Sequence, residues 1–93
     1  MLEKEVERKL CKRVKDRGGI AFKFTSPGHA GVPDRLVLLP GAHIGFVEVK
    51  APDKQPSKLQ AACHQKIKKL GFKVYVLDDP KQIGGILDGI QAT

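Results

Sequence analysis

Between Ile44 and Leu77 the chain spells strand, helix, strand, and few folds accept that order. Ile44 to Lys50 alternates like a strand, Leu59, Cys63, Ile67 and Leu70 recur at helical spacing, and Lys73 to Leu77 is a short hydrophobic run. A strand that returns to its own sheet through a helix does so parallel and with a right-handed crossover. All-helical and purely antiparallel architectures are thereby excluded.

The rest of the chain must build onto that unit. Leu2 to Asp16 predicts a helix, with Leu2, Val6, Leu10 and Val14 forming its apolar stripe and Gly18-Gly19 ending it. Ile20 to Thr25 predicts a strand in which Ile20, Phe22 and Phe24 alternate with Ala21 and Lys23. Ser26 to Asp34, with two prolines and two glycines, is a loop. Arg35 to Leu39 predicts a strand joined to Ile44–Lys50 across Pro40-Gly41-Ala42-His43, an antiparallel hairpin that sets residues near 35–36 opposite residues near 47–48. Ala51 to Pro56 links to a helix from Ser57 to Leu70, where Ser57 is a natural N-cap and Gln60 stands at the capping-box position. Gly71 stops that helix, and a last helix spans Lys81 to Asp88. The order α-β-β-β-α-β-α predicts an α/β chain whose central four-stranded mixed sheet is flanked by helices.

A chain of 93 residues makes one domain, residues 1–93, with a modest core that a self-associating surface would help. Seventeen Lys and Arg stand against 10 Asp and Glu, and a net charge of +7 suits a polyanion such as nucleic acid. Cys11 and Cys63 are far apart and lack zinc spacing, so they read as small core residues in a reducing compartment. The apolar runs are too short to span a bilayer and the charged N-terminus is unlike a signal peptide. A soluble cytoplasmic protein with no membrane partner is expected.

Chemistry enters where the strand pattern breaks. Ile44, Phe46, Glu48 and Lys50 share one face of their strand and Val47 and Val49 the other, so the inward face is expected to turn from apolar to Glu-x-Lys at its end. Charges placed there need a partner or a metal. Asp34, behind Pro33 and just ahead of the partner strand, comes within reach of Glu48 in the hairpin register. Paired carboxylates repel unless a cation resolves the conflict, and Mg²⁺ takes one or two carboxylates while keeping waters or phosphate oxygens. Lys50 could then orient a water or steady developing negative charge. Spacing alone leaves a structural ion pair equally open. The glycine-bearing loop from Thr25 to Gly31 can bring backbone N–H groups close to phosphates, and Lys23, Ser26, His29, Arg35 and Lys54 are candidate DNA contacts. His43 and His64 carry no assigned role.

Gly31-Val32-Pro33-Asp34-Arg35, Phe46-Val47-Glu48-Val49-Lys50-Ala51-Pro52 and Gln60, in that order, resemble the virus-type replication-repair nuclease (VRR-NUC) domain of the PD-(D/E)xK nuclease superfamily, similar to Holliday-junction resolvases. The resemblance runs from the first helix to the strand at Val74, and Ala42 departs from it where the family commonly has a second glycine. It implies a restriction-endonuclease-like αβββαβ core. It also implies that Asp34, Glu48 and the Val49 carbonyl bind Mg²⁺ or Mn²⁺, that Lys50 is the catalytic lysine, and that Gln60 and a first-helix glutamate complete the site. Glu3 and Glu7 both flank the apolar stripe; Glu7, 11 residues before Gly18, has the family's spacing and is taken as the acid, reaching the metal through water. Its alternative is a surface ion pair, as that of Gln60 is a helix cap alone. An Mg²⁺-dependent endonuclease acting on branched DNA as a homodimer, without a small-molecule cofactor, is therefore expected. Its rivals are a non-catalytic DNA-binding module and a structural protein with an ion-paired strand end.

Overall fold

The crossover frames the fold. In the computed structural model, which describes residues 1–92, β3 (His43–Val49) and β4 (Val74–Leu77) run parallel with Glu48 beside Val76, and α2 (Lys58–Lys69) carries the chain between them. β2 (Arg35–Leu39) pairs antiparallel with β3, Arg35 opposite Val47, and β1 (Ile20–Lys23) adds antiparallel to β2. The four strands lie in the order β1-β2-β3-β4, a mixed sheet as expected. α1 (Glu3–Asp16) precedes them, and α3 (Ile83–Gln91) follows a 3₁₀ turn over Pro80–Gln82. No helix among the described residues is long and apolar enough to cross a membrane.

The two faces of the sheet have different occupants. Val37, Leu39, Val47, Val49 and Leu77 point to one face, where Val6, Leu10 and Val14 of α1 and Ile83, Ile86, Leu87 and Ile90 of α3 cover them completely. Burying a side chain of this kind contributes about 1.5–3 kcal/mol, so most of the stabilisation sits on this face. The opposite face carries Phe46, Glu48 and Lys50 and is covered by α2 alone.

This asymmetry overturns three expectations. The deepest core lies on the Val47/Val49 face, so the Glu-x-Lys pair ends the thinner layer beneath α2 rather than interrupting the main core. On β1, Ala21 is the residue packed against the core, while Ile20 and Phe22 remain 53% and 51% exposed. Alternation identified the strand but not which of its faces is covered. On α2 the buried side is turned by one residue, toward Gln60, Cys63, His64 and Ile67, leaving Leu59 and Leu70 at 59% and 76% exposure. Cys63 is buried and Cys11 half-buried, both as free thiols.

Element ends follow their capping chemistry. Leu2 serves as the N-cap of α1 and stays exposed, outside the stripe it was expected to begin. The last helix starts later than Lys81 because Asp79 caps a 3₁₀ turn, its carboxylate accepting from Lys81 N–H. That helix then runs past Asp88 to Gln91, and Lys73 Nζ donates to the carbonyls of Gly89 and Ala92 at its end.

The β2–β3 turn reverses through two residues of positive φ, Gly41 at 88° and Ala42 at 63°. An L-residue in that region costs about 1–2 kcal/mol, part of which glycine would return in its own chain entropy. Ala42→Gly should therefore stabilise the fold by up to about 1 kcal/mol, and thermal unfolding should show a midpoint higher by a few degrees.

Candidate active site

The end of β3 is assembled by hydrogen bonding that β2 cannot complete. Phe46 N–H donates to the Lys73 carbonyl and Lys50 N–H to the Leu77 carbonyl, so the even-numbered amides of β3 face β4 and the odd-numbered ones face β2. Continuing the Arg35–Val47 register sets Pro33 opposite Val49. Proline has no N–H to give, so the ladder offers the Val49 carbonyl no donor. The Val49 N–H instead donates to Asp34 Oδ2 at 2.8 Å. Asp34 is pinned at its backbone too, its carbonyl accepting from Phe24 N–H at 2.8 Å. A proline at that one position thus releases a backbone carbonyl and draws a carboxylate in beside it.

Glu48, next along β3 and on the α2 side, is only 1% exposed. Its Oε2 lies 3.2 Å from Lys50 Nζ and accepts from Gln60 Nε2 at 3.4 Å. Burial, and then the neighbouring Asp34 charge, push the Glu48 carboxyl from 4.5 up to about 7, against the lowering effect of Lys50. Oε1 has no hydrogen-bond partner.

Gln60 resolves its two alternative roles by taking both. Its backbone N–H donates to Ser57 Oγ and its Oε1 accepts from Ser57 N–H at 2.9 Å, which is a complete capping box. With its oxygen engaged at the cap, its amide nitrogen is turned toward Glu48. The loop before Asp34 abuts this same helix turn. Gly31 has a φ of 88°, and a Cβ on it would stand 2.9 Å from the Leu59 carbonyl oxygen, so no larger residue fits without moving α2.

The structure therefore brings Asp34, Glu48, Val49, Lys50 and Gln60 together. Glu7 is placed elsewhere: its carboxylate accepts from Arg35 Nε at 2.7 Å, in the layer occupied by α1. The Arg35 side chain, 19% exposed, also donates to the Ala21 carbonyl, so this residue braces α1 and β1 and has little left to offer a phosphate. Lys23, His29 and Lys54 are exposed and Ser26 is half-buried. Ser26 and His29 rim an open hollow of about 540 Å³ that is walled by Phe24, Phe46, Cys63 and Phe72. Sequence reasoning missed His64, which is 4% exposed with Nε2 3.6 Å from Glu48 Oε1. Burial, then the charges of Lys68 and Lys50, lower its pKa, against the raising effect of Asp34. Its spacing of four from Gln60 was the available signal, obscured because Leu59 suggested a differently turned helix.

These donors fit a hard divalent cation. Two carboxylates, one of them with an unpartnered buried oxygen, and a backbone carbonyl outside the ladder match what a hard divalent cation such as Mg²⁺ takes from protein while its remaining positions hold water or phosphate oxygen. Among the described residues no cluster of three or more His, Cys, Asp or Glu side chains suited to a metal occurs.

Comparison with known proteins bears on the family of the chain. No protein-family profile matches the chain. It is 46% identical over 88 residues to the protein named "Putative nuclease p44" of Acyrthosiphon pisum secondary endosymbiont phage 1, covering 95% of this chain and 94% of that one. It also superposes on a solved structure described as a VRR_NUC domain with a TM-score of 0.86 at 33% identity, covering 92% of this chain and 94% of that one.

The raised Glu48 pKa has a consequence for stability in EDTA. The folded chain holds a proton on Glu48 that the unfolded chain releases from about pH 4.5, so stability falls as pH rises from there through about 7. Glu48→Gln removes this titration. In EDTA its unfolding midpoint should exceed that of wild type by an amount that grows over this window, corresponding to about 1–3 kcal/mol by pH 8. Equal midpoints at pH 5 and pH 8 would contradict it.

Proposed function

The chain belongs to the VRR-NUC family of nucleases, and we propose that it is an Mg²⁺-dependent endonuclease that cuts branched DNA such as four-way junctions. The observation that carries this reading is the convergence of Asp34, the buried Glu48, Lys50 and the Val49 carbonyl at the end of β3. All 93 residues act as a single nuclease domain in the cytoplasm, that of the host cell if the chain is phage-encoded.

In this reading Asp34, Glu48 and the Val49 carbonyl hold Mg²⁺ or Mn²⁺. A bound divalent ion lowers the pKa of a coordinated water and neutralises charge on the phosphodiester. Lys50, compact and held near Glu48 Oε2, orients the attacking water or offsets charge developing on the phosphate. Gln60 keeps Glu48 in place from the first turn of α2. Glu7 contributes from behind, by holding Arg35 beside Asp34, or through water. Exposed Lys23, His29 and Lys54, with Ser26, guide the DNA backbone, and the net charge of +7 favours phosphate contact over reading of bases.

The uncovered part of the α2-side sheet face supports a homodimer. Ile20 pairs with Leu38 and Leu38 with Ile44, and these three residues with Phe22 form an exposed apolar patch beyond the reach of α2. A symmetric dimer covering it would present two sites to a two-fold junction.

Incubation with four-way, linear duplex and single-stranded DNA, in Mg²⁺ or in EDTA, tests this function. Cleavage should require the metal and favour the junction. Glu48→Ala and Lys50→Ala should each lower kcat by at least about 10²-fold, in the range seen when charge-stabilising groups are removed, and Glu7→Ala by less. Metal-independent cutting, or none on any DNA, would sink the proposal. For the dimer, Phe22→Glu together with Ile44→Lys should halve the mass measured in sedimentation; an unchanged mass would remove this face as the interface.

A further inference from the structure

Behind Glu48 lies a polar pair that the proposed function leaves unused. His64 stands four residues after Gln60 on α2, so both side chains leave the helix from the same face. His64 Nε2 is buried without a hydrogen-bond partner, and 3.6 Å away Glu48 Oε1 is in the same condition. A buried polar atom with no partner is costly, and nearly all such atoms in folded proteins find one. Here two face each other across a gap only slightly longer than a hydrogen bond. The other oxygen, Oε2, already has Lys50 Nζ and Gln60 Nε2.

The composition of α2 points the same way. A helix that served only to cover the sheet would bury its leucines, yet Leu59 and Leu70 are exposed while Cys63 and His64 are buried. An apolar residue at position 64 would fill the same space without an orphaned nitrogen. Gln60 and His64, both on the inward side of α2, face the Glu48 carboxylate.

We propose that His64 is a positioning residue of the nuclease site: its Nε2–H donates to Glu48 Oε1 while Gln60 donates to Oε2, and this two-point grip sets the orientation in which Glu48 meets the divalent ion. The inference rests on Asp34 and Glu48 being the carboxylates that hold that ion. Hydrogen-bond partners of metal ligands commonly tune metal affinity or activity by about 10–100-fold.

The test uses the full chain stripped of metal and titrated with Mn²⁺, following the free ion by electron paramagnetic resonance. Wild type, His64→Leu, His64→Gln and Glu48→Ala are compared, with unfolding midpoints in EDTA measured alongside. His64→Leu should still unfold cooperatively in EDTA, at a temperature within a few degrees of wild type, because leucine fills the buried space that the imidazole leaves. It should nevertheless bind Mn²⁺ about 10–100-fold more weakly and lose kcat with little change in KM for DNA. His64→Gln, which keeps an N–H donor, should recover most of the affinity, as a role in packing alone would not require. His64→Met is a second apolar replacement should leucine unfold the chain. Wild-type Mn²⁺ affinity in either apolar variant would overturn the proposal. So would ¹⁴N modulation from a directly bound imidazole in Mn²⁺-loaded wild type, which would make His64 a ligand instead. If Glu48→Ala binds Mn²⁺ as well as wild type, the metal site itself falls and this inference with it. If Glu48→Ala loses the ion and His64→Leu does not, only the role of His64 falls.

Discussion

A carboxylate that water cannot reach is the constraint around which this small protein is built. Glu48 sits on a central strand, 1% exposed, with Asp34 adding repulsion to the cost of burial. Simple stability would replace it with a branched apolar residue like its neighbours Val47 and Val49, at no loss of packing. Its surroundings act on it in detail: Lys50 and Gln60 meet one oxygen, His64 faces the other, and Pro33 redirects the next stretch of backbone. A cation held among these groups would resolve the repulsion.

The division of the sheet into two faces makes that arrangement affordable. α1 and α3 bury a continuous aliphatic layer on one side, and this layer supplies the stability. The other side is left to α2, which covers it with Cys63 and Ile67 as well as with Gln60 and His64. The Glu7–Arg35 pair sits on the stabilising side, where it links α1 to the strand that begins beside Asp34. The two unpartnered buried side-chain atoms among the described residues, Glu48 Oε1 and His64 Nε2, lie on the α2 side, as expected where function sets the residue choice.

Much of this was legible in the sequence, because period and punctuation are local. The β3–α2–β4 crossover, the hairpin register that makes Asp34 and Glu48 neighbours, and the Ser57–Gln60 capping box all follow from short-range rules, and all appear in the structure. What escaped depended on which surfaces meet. Alternation on β1 marks Ile20 and Phe22 as one face but cannot say that this face is open. On α2, Leu59 and Leu70 suggested the buried stripe, whereas the inward side carries Gln60 and His64, which face Glu48, beside Cys63 and Ile67. Hydrophobic periodicity has no means of seeing a helix whose docked side includes polar side chains. Glu7 illustrates the same limit, since its spacing fits a site acid while its nearest partner is Arg35.

The protonation of Glu48 itself tests the account most directly. With glutamate labelled at the side-chain carboxyl carbon, the Glu48 resonance can be followed by ¹³C NMR against pH, with and without Mg²⁺. In EDTA it should titrate near pH 7, well above the 4.5 of an ordinary glutamate, and saturating Mg²⁺ should shift that titration to lower pH while broadening or moving the signal. A Glu48 carboxyl that titrates near 4.5 and ignores Mg²⁺ would contradict both the burial of the charge and the site built around it.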